Sequence, residues 1–151
     1  MLQLARPADR AAVNTLAGQV HAMHVSWRPD LFEMVEERYS EERFFDALHQ
    51  RQLYVAKEGE LIFGYVLLKI RDYDIPGLVK RKVMVIDEIC VDEAFRRQGI
   101  GSRILTDVKA LAKAFGCRDL QLGVYPQNDG AVTFYQKNGF MIRSIDMQMK
   151  L

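Results

Sequence analysis

The stretch VMVIDEICVDEAFRRQGIGSRIL, residues 83–105, decides the fold of this chain. Its first nine residues, 83–91, are mostly apolar, and such a run predicts a buried strand. From Ile104 onward, apolar residues recur at the spacing of an amphipathic helix. The basic loop RRQGIG at 96–101 joins the two, and its glycines let the backbone approach a ligand closely. Because the loop amides and the positive end of the helix point to the same place, the stretch predicts a site for a phosphate-bearing cofactor, where the two arginines add charge-assisted hydrogen bonds.

The composition is that of one ordinary soluble domain. The chain has 151 residues, of which 49% are hydrophobic and 27% charged, and this length supports a core without disulfides or metals. The net charge of +1 gives no reason to expect a nucleic acid or a membrane as partner. The sequence shows neither a secretory signal nor a long apolar span, so the predicted location is the cytoplasm. The three histidines form no cluster with acids at metal-ligand spacing, and no metal site is predicted.

Apolar periodicity and turn signals predict the other elements. Ser40 is a predicted helix N-cap, residues 58–60 a hairpin turn, and residues 72–82 a loop. The predicted order is βααββ followed by βαβαβ, which makes one α+β (mixed α/β) domain over residues 1–151 with helices on the faces of a mixed sheet. Strands are predicted at residues 2–6, 53–57, 61–70, 83–91, 120–125 and 140–149, and helices from Pro7 to about Trp27, after Ser40, from the basic loop to Gly116, and from Asn128 or Asp129 to about Asn138.

Other phosphate-binding loops fit this sequence less well. A Walker loop requires a Gly-Lys-Ser/Thr ending that is absent here. A dinucleotide-binding fingerprint requires a third glycine, but residues 99–101 are followed by Ser-Arg-Ile, and the strand before the loop is the fourth rather than the first. The pattern that remains is R-x-x-G-x-G, formed by Arg96, Gly99 and Gly101.

Two separated motifs carry a resemblance to a known family. The first is DEICVD at 87–92, which leads into RRQGIG at 96–101, and the second is NDGAVTFYQKNGF at 128–140. Together with the strand order around them, they resemble the GCN5-related N-acetyltransferase (GNAT) superfamily over most of the chain. The resemblance implies a central, mostly antiparallel twisted sheet of about six or seven strands with helices on both faces, a single GNAT acetyltransferase domain, and acetyl-CoA as cofactor.

The resemblance also implies how the cofactor lies. Amides of the R-x-x-G-x-G loop bind the pyrophosphate, and the pantetheine arm pairs like an extra strand with the backbone of Ile89 and Val91. The strands at residues 83–91 and 120–125 splay apart there, and Asn128 contacts the pantetheine or a splayed backbone. The implied cofactor-binding residues are Ile89, Cys90, Val91, Arg96, Arg97, Gln98, Gly99, Ile100, Gly101, Ser102, Asn128 and Tyr135.

The implied reaction transfers an acetyl group to a primary amine of a small molecule or peptide by direct attack in a ternary complex. The amine must be neutral, although a free alkylamine has a pKa near ~10.4, and the departing thiolate needs a proton donor. Tyr135 matches the family's acid, and Glu88 or Asp87 is a candidate base. A backbone N–H at Ile89 or Cys90 would polarise the carbonyl. Structural readings remain open for Tyr135 as a core aromatic, Glu88 as a salt-bridged strand residue, and Cys90 as a buried small side chain.

The acceptor pocket is expected between the first two helices, the loop after the long hairpin strand, and the C-terminal end. Trp27 and Tyr73 could cover a small organic cation, whereas Arg28 could hold a substrate carboxylate. The acidic residues between 33 and 42 would attract an amine, or would form a solvated helix face. The predicted substrate contacts are Trp27, Arg28, Tyr73 and Tyr125. The sequence permits a polyamine, an amino acid, an aminoglycoside, or the N-terminus or a lysine of a protein.

Two further interpretations stay open. A non-catalytic acyl-CoA-binding sensor module would keep the pyrophosphate loop and lack acid–base chemistry, and Tyr135 favours the enzyme over it. The final residues 147–151 alternate between apolar and polar side chains, which predicts an edge strand able to pair with another copy in a homodimer.

Overall fold

A computed structural model describes residues 1–151, the whole chain, as one five-stranded sheet with four α-helices. The elements are β1 (Leu2–Leu4), α1 (Arg10–Trp27), α2 (Glu41–His49), β2 (Leu53–Glu58), β3 (Leu61–Tyr73), β4 (Arg81–Val91), α3 (Ile100–Ala114), β5 (Asp119–Leu122) and α4 (Asp129–Lys137). The strands lie in the order β1-β2-β3-β4-β5, each antiparallel to its neighbour except β5, which is parallel to β4. None of the helices is both long and apolar enough to cross a membrane.

The helix ends follow capping signals in the sequence. The backbone N–H of Arg43 donates to the Ser40 hydroxyl at 3.2 Å and begins α2, as predicted. The N–H of Ala131 donates to Oδ1 of Asn128 at 3.2 Å and begins α4. Helix α3 ends before Gly116, whose φ of +70° is a left-handed conformation that favours glycine. Each side-chain cap stabilises a helix by about 1 kcal/mol, so these ends are set by local chemistry.

The sheet separates two apolar cores. One core lies against α1 and α2 and includes the fully buried Phe44 and Leu53. The other lies against α3 and α4 and includes Val66 and Ile104, which are also fully buried. Burying one such side chain stabilises the fold by about 1.5–3 kcal/mol, so both faces of the sheet contribute to stability.

A β-bulge at Asp87 reverses the alternation of β4. Ile86 and Glu88 pair with consecutive residues of β3, so Asp87 has no partner on that strand. Before the bulge, Ile86 packs into the core under α3. After it, Cys90 packs into the core under α1 and α2, and Glu88 faces the same side. The bulge therefore places a carboxylate on the α1–α2 side of the sheet.

The predicted strand over residues 140–149 is wrong, and the sheet has five strands rather than six or seven. No backbone group of residues 141–151 hydrogen-bonds to the rest of the chain. The side chains of Met147 and Met149 are 93% and 82% exposed. Alternating apolar residues form a strand only when they pair with a neighbouring strand, and this segment pairs with none, although the outer edge of β5 is unpaired.

Several strand boundaries also differ from the prediction, most of all in the β3–β4 hairpin and in β5. Residues 72–82 were expected to form a loop, but pairing continues to Tyr73 opposite Arg81 and leaves only residues 74–80 unpaired. The Arg81 guanidinium carbon lies 4.4 Å from the centre of the Tyr73 ring, and this cross-strand cation–π contact supports the extended ladder. Strand β5 covers residues 119–122 rather than 120–125.

Candidate active site

A gap opens in the sheet between β4 and the chain that follows β5. The two strands pair only from Val83 to Ile86 on β4 and from Asp119 to Leu122 on β5. Strand β4 continues to Val91 with β3 as its remaining neighbour. The other edge of β4 therefore offers unpaired backbone groups to a ligand, and the splay that the resemblance implies is present.

The backbone groups of Ile89 and Val91 point into this gap. The N–H of Asp92 donates to the carbonyl of Phe63 at 2.8 Å, so it faces β3. Because alternate residues of a strand direct their N–H and C=O groups to opposite sides, Val91 and Ile89 face away from β3. The Nε of Arg96 donates to the carbonyl of Val91 at 3.0 Å, in agreement with that direction. An extended chain that carries amides can pair with this edge as an added strand would.

The loop after β4 presents a row of free backbone donors. None of the N–H groups of residues 97–102 donates to another group of the chain. Arg97 and Gly99 have left-handed backbones with φ of +63° and +78°, and such residues turn successive N–H groups toward one point. Helix α3 begins at Ile100, so its positive end lies at the same place. The loop is an anion-binding nest suited to phosphate.

The two arginines of the loop differ in what they hold. Arg96 donates to β4 at Val91, and its Nη2 lies 3.5 Å from Oε1 of Gln19 on α1, so its side chain ties the loop to the sheet and to α1. Arg97 is exposed and is not part of any ion pair, so its guanidinium is available to an anion beside the nest.

Helix α4 covers the start of α3. A Cβ at Gly101 would lie 3.0 Å from the ring of Phe134, so glycine permits an approach that other residues would obstruct. Tyr135 packs against Phe134 and Phe140 with ring centroids 5.3 and 5.6 Å apart. Burial raises the pKa of Tyr135 to about 12, so its hydroxyl is a protonated donor at neutral pH. Oδ1 of Asn128 is occupied by the cap of α4, and its Nδ2 group has no hydrogen-bond partner in the chain.

Glu88 faces the other side of the sheet, where four donors surround its carboxylate. The hydroxyls of Tyr39 and Tyr65 donate to Oε2 at 2.7 and 2.9 Å. Nη2 of Arg43 donates to Oε1 at 2.8 Å, and Nη2 of Arg38 lies 3.5 Å from the same oxygen. A carboxylate has roughly four lone-pair positions, so three are firmly occupied and the fourth is held loosely by Arg38. We call these five residues the Glu88 cluster.

Three of the four donors in the Glu88 cluster are fixed. Burial, followed by the charge of Glu88, raises the pKa of the Tyr39 and Tyr65 hydroxyls well above the usual range, so both remain donors. Arg43 also donates to the backbone carbonyl of Arg38 at 2.8 Å, and its guanidinium carbon lies 4.4 Å from the centre of the Tyr39 ring. By contrast, the Arg38 guanidinium has only its long contact with Glu88, and its side chain is 31% exposed.

Four aromatic residues pack together near the end of α1, and we call them the aromatic wall. His24 stacks on Phe32 at a centroid distance of 5.3 Å and meets Trp27 and Tyr125 at 5.9 and 5.6 Å. Tyr125 lies in the chain that follows β5. Burial, followed by nearby positive groups, lowers the pKa of His24, so its imidazole is neutral at pH 7. The predicted contacts Trp27 and Tyr125 thus lie together.

Two predicted functional residues have partners outside the Glu88 cluster. Nε and Nη2 of Arg28 donate to the carboxylate of Asp30 at 2.9 and 2.8 Å, and Nη2 also donates to Gln148 at 2.8 Å. The Arg28 hydrogen bond holds the pKa of Asp30 well below its usual range. Nζ of Lys69 donates to Asp87 at 2.6 Å on the exposed surface. The guanidinium of Arg28 and the carboxylate of Asp87 are thus already paired within the chain.

Cys90 and Tyr73 take structural positions. The thiol of Cys90 donates to the carbonyl of Leu16 at 3.4 Å, and burial raises its pKa to about 12, which makes it a poor nucleophile. Tyr73 is opposite Arg81 at the far end of the β3–β4 hairpin, roughly 20 Å along the strand from Glu88 at ~3.3 Å per residue. The loop after β3 therefore turns at the opposite end of the hairpin from Glu88, and the structure does not bring Tyr73 together with the Glu88 cluster.

The sequence did not single out four members of the Glu88 cluster. They meet only because β3 lies beside β4 and α2 packs across both strands. One signal was available for Tyr65, which is opposite Cys90 in the register of the two strands and so lies close to Glu88. The residues missed are Arg38, Tyr39, Arg43 and Tyr65.

The fold and the splayed site point to the GNAT family. The chain matches the model of the Acetyltransferase (GNAT) family over residues 20–140 and belongs to that family. It is 41% identical over 66 residues to the uncharacterized N-acetyltransferase MJ1207 of Methanocaldococcus jannaschii, over 44% of this chain and 29% of the relative. It is 32% identical over 100 residues to the uncharacterized N-acetyltransferase YvbK of Bacillus subtilis, over 66% of this chain and 59% of the relative. The chain thus spans less than two thirds of either relative.

Solved structures extend the likeness over the whole chain. A variant of the BH1408 protein from Bacillus halodurans is 30% identical, with a TM-score of 0.94 over 100% of this chain and 99% of that one. The aminoglycoside N-acetyltransferase AAC(6')-Iy, solved in complex with CoA, is 17% identical with a TM-score of 0.65 over 100% of both chains. At this identity the second likeness shows the fold alone.

Proposed function

We propose that this chain transfers the acetyl group of acetyl-CoA to a primary amine by direct attack in a ternary complex. The observation that carries the proposal is the row of free N–H groups at residues 97–102 beside the unpaired edge of β4. A diphosphate suits the nest and the amide-bearing pantetheine suits the edge, so one molecule satisfies both. Membership of an acetyltransferase family and the CoA complex of a protein with the same fold support this choice.

The proposed cofactor site uses the predicted residues in different ways. Ile89 and Val91 pair their backbones with pantetheine, and Arg97 adds charge beside the diphosphate. Cys90 contributes through packing, because its thiol is bonded to Leu16. Asn128 caps α4 through Oδ1, and its Nδ2 group is the donor that would contact the pantetheine. The nest itself consists of backbone at Gln98, Gly99, Ile100, Gly101 and Ser102, with Arg96 bracing it.

The proposed chemistry divides between the two faces of the gap. The ammonium group of the acceptor loses a proton to Oε1 of Glu88, and the neutral amine attacks the thioester carbonyl. A C–N bond forms and the C–S bond breaks with its electron pair on sulfur, while the hydroxyl of Tyr135 donates to the departing sulfur. The second excess proton of the nitrogen leaves to water as the amide forms. Because the pKa of Tyr135, about 12, exceeds that of a thiol, roughly 8.5, Tyr135 stabilises the thiolate mainly by hydrogen bonding. Asp87 is a weaker candidate base, since it is paired with Lys69.

A matched pair of glycine variants tests the coenzyme site. Gly99 and Gly59 both have a left-handed φ, of +78° and +59°, and a Cβ at either position meets nothing within 4 Å. Alanine at either position therefore strains the backbone by a similar amount, about 1–2 kcal/mol. Titration calorimetry should show acetyl-CoA binding weakened at least about tenfold by Gly99→Ala and unchanged by Gly59→Ala. Equal affinities for the two variants, or no binding by the wild type, would refute the coenzyme assignment.

A sensor that binds acyl-CoA without catalysis is the second candidate function. The observation that favours it is the firm occupation of three lone-pair positions on Glu88, which leaves little room for a base. Thiol release in the presence of a broad amine panel distinguishes the two candidates. The sensor predicts acetyl-CoA binding without acceptor-dependent release, whereas the enzyme predicts both.

We also propose that residues 140–151 pair with a second copy of the chain. Six large apolar side chains in this segment are between 70% and 118% exposed, an arrangement that a water-facing coil does not favour. After Phe140, whose N–H donates to the carbonyl of Tyr135, the segment has no backbone partner, and the outer edge of β5 is unpaired in the sheet. If the segment of one copy paired as a strand with the β5 edge of another copy, the backbone groups of the segment and of the edge would both have partners. The side chains are Met141, Ile142, Ile145, Met147, Met149 and Leu151.

Analytical ultracentrifugation tests this homodimer. The wild type should sediment as a dimer at micromolar concentration, and the double variant Met147→Lys, Met149→Lys should sediment as a monomer. The control is Leu78→Lys, an exposed apolar residue in the β3–β4 loop, which should leave the dimer intact. A monomeric wild type would contradict the proposal.

A further inference from the structure

We infer that the acceptor is an amino acid or a close relative, a primary amine that also carries a carboxylate, and that Arg38 binds the carboxylate. This inference rests on the proposed acetyl transfer. It starts from an imbalance in the Glu88 cluster, where two guanidinium groups face one carboxylate. Arg43 and Glu88 form a close pair at 2.8 Å, so the charge of Arg38 is the excess.

Arg38 has the free donors that such a role requires. Its only side-chain contact is the 3.5 Å approach of Nη2 to Oε1 of Glu88, which is at the limit of a hydrogen bond. A guanidinium has five N–H donors in a planar fork, and the fork of Arg38 is free to take a carboxylate in the bidentate geometry. The side chain is 31% exposed, so an incoming molecule can reach it.

The other arginines near the gap are committed. Arg43 is fixed by Glu88, by the carbonyl of Arg38 and by the ring of Tyr39. Arg28, which the sequence suggested for a substrate carboxylate, is held by Asp30 and Gln148. The structure therefore moves that role to Arg38.

The loose Arg38–Glu88 contact allows an exchange of partners. A zwitterionic amino acid brings one carboxylate and one ammonium group, which suit Arg38 and Glu88 respectively. As the carboxylate draws the Arg38 guanidinium away, the fourth lone-pair position, on Oε1, becomes free for the ammonium group. The exchange replaces one weak ion pair by two, and it leaves the firm bonds from Tyr39, Tyr65 and Arg43 unbroken.

Acceptors that are purely cationic fit this charge pattern poorly. A polyamine or an aminoglycoside would meet two guanidinium groups and one carboxylate, with a neutral His24 nearby. The aromatic wall formed by His24, Trp27, Phe32 and Tyr125 instead offers a surface for an apolar or aromatic side chain. An amino acid such as phenylalanine satisfies the carboxylate, the amine and the wall together.

Three probes that differ only in the carboxylate test the inference. L-phenylalanine, its amide and 2-phenylethylamine share an aromatic ring and a primary amine, and only the first carries the negative charge. In an assay of thiol release, the wild type should prefer L-phenylalanine over the other two by at least about tenfold in kcat/KM, the factor that one charge-assisted hydrogen bond supplies. Arg38→Gln should bring the ratio close to one by lowering kcat/KM for L-phenylalanine far more than for the other two probes, and Arg38→Lys should restore part of the ratio.

The control variant is Arg71→Gln, which removes an exposed arginine on β3 away from the gap and should leave the ratio unchanged. Acetyl-CoA binding, followed by calorimetry for every variant, shows that each protein is folded and separates the two proposals. If acetyl-CoA binds but no amino acid is acetylated, the inference fails while the coenzyme assignment stands. The inference also fails if 2-phenylethylamine or spermidine is preferred, or if Arg38→Gln lowers all three probes equally. If the wild type did not bind acetyl-CoA, both the proposed function and this inference would be wrong.

Discussion

The phosphate nest, at the start of the helix on one face of the sheet, and the Glu88 cluster, on the other face, are built in opposite ways. The nest consists of consecutive backbone N–H groups at residues 97–102, whose direction is set by two left-handed residues and a helix start. The Glu88 cluster consists of side chains from the loop before α2, from α2, from β3 and from β4. A site made of local backbone resists sequence change, whereas a site assembled from distant side chains can change its ligand while the fold remains. On the proposed assignment, the coenzyme site is therefore the part that stays fixed, and the Glu88 cluster is the part that sets the acceptor.

The largest effect is expected from Tyr135, the side chain that acts next to the backbone-made site. Tyr135→Phe should lower kcat by about 100-fold or more, the usual contribution of a positioned proton or hydrogen-bond donor. The affinity for acetyl-CoA should stay within about twofold, because the nest and the β4 edge are backbone. Steady-state kinetics and calorimetry measure the two quantities.

The control is Tyr73→Phe, a tyrosine at the far end of the hairpin that should leave kcat unchanged. Because burial raises the pKa of Tyr135 to about 12, its hydroxyl stays protonated, and wild-type kcat should not decline between pH 8 and pH 10 through its ionisation. If Tyr135→Phe lowered the affinity for acetyl-CoA as much as it lowered kcat, Tyr135 would contribute to coenzyme binding. The proposed separation between backbone binding and side-chain chemistry would then be wrong.

The parts of the fold that depend on local chemistry were predictable from the sequence. The caps Ser40 and Asn128 and the basic loop at 96–101 each follow from a few neighbouring residues, and the structure has all three. The gap in the sheet was anticipated as well, but only through the resemblance, since no local pattern states where two strands separate.

The Glu88 cluster escaped prediction because it depends on register. One unpaired residue, Asp87, decides whether Glu88 faces α3 or α1 and α2, and the sequence does not mark the bulge. Arg38 lies 50 positions from Glu88 in the chain, so no spacing rule connects them. The segment 140–149 failed for a related reason, because its alternation describes a strand but does not identify its partner.

The second largest effect is expected on stability, where the adjacent carboxylates of Glu88 and Asp87 can be compared. Glu88→Gln replaces a half-buried charge that faces two guanidinium groups and should lower the free energy of unfolding by about 2 kcal/mol, below the ~3–5 kcal/mol of a fully buried pair because Glu88 keeps some exposure. Asp87→Asn removes one exposed ion pair with Lys69 and should cost less than about 1 kcal/mol. Urea unfolding at pH 7 measures both. Equal losses would mean that the Glu88 cluster contributes no more to stability than a surface pair.

The smallest effect is a pH dependence that arises in the aromatic wall. In the folded protein, chiefly burial lowers the pKa of His24 from 6.5. At pH values between the lowered pKa and 6.5, the unfolded chain therefore binds more protons than the folded one. Stability from this residue is therefore complete above pH 6.5 and is lost as the pH falls below it. His24→Gln, which cannot be protonated, should show a smaller drop in Tm between pH 7 and pH 5.5 than the wild type, by no more than about 2–4 °C because His24 is only partly buried. The control His49→Gln changes an exposed histidine on α2 and should keep the wild-type drop. If Tm fell with pH in His24→Gln as steeply as in the wild type, the wall would tolerate a charged imidazole. The difference in charge between the wall and the Glu88 cluster would then become smaller as the solution becomes acidic.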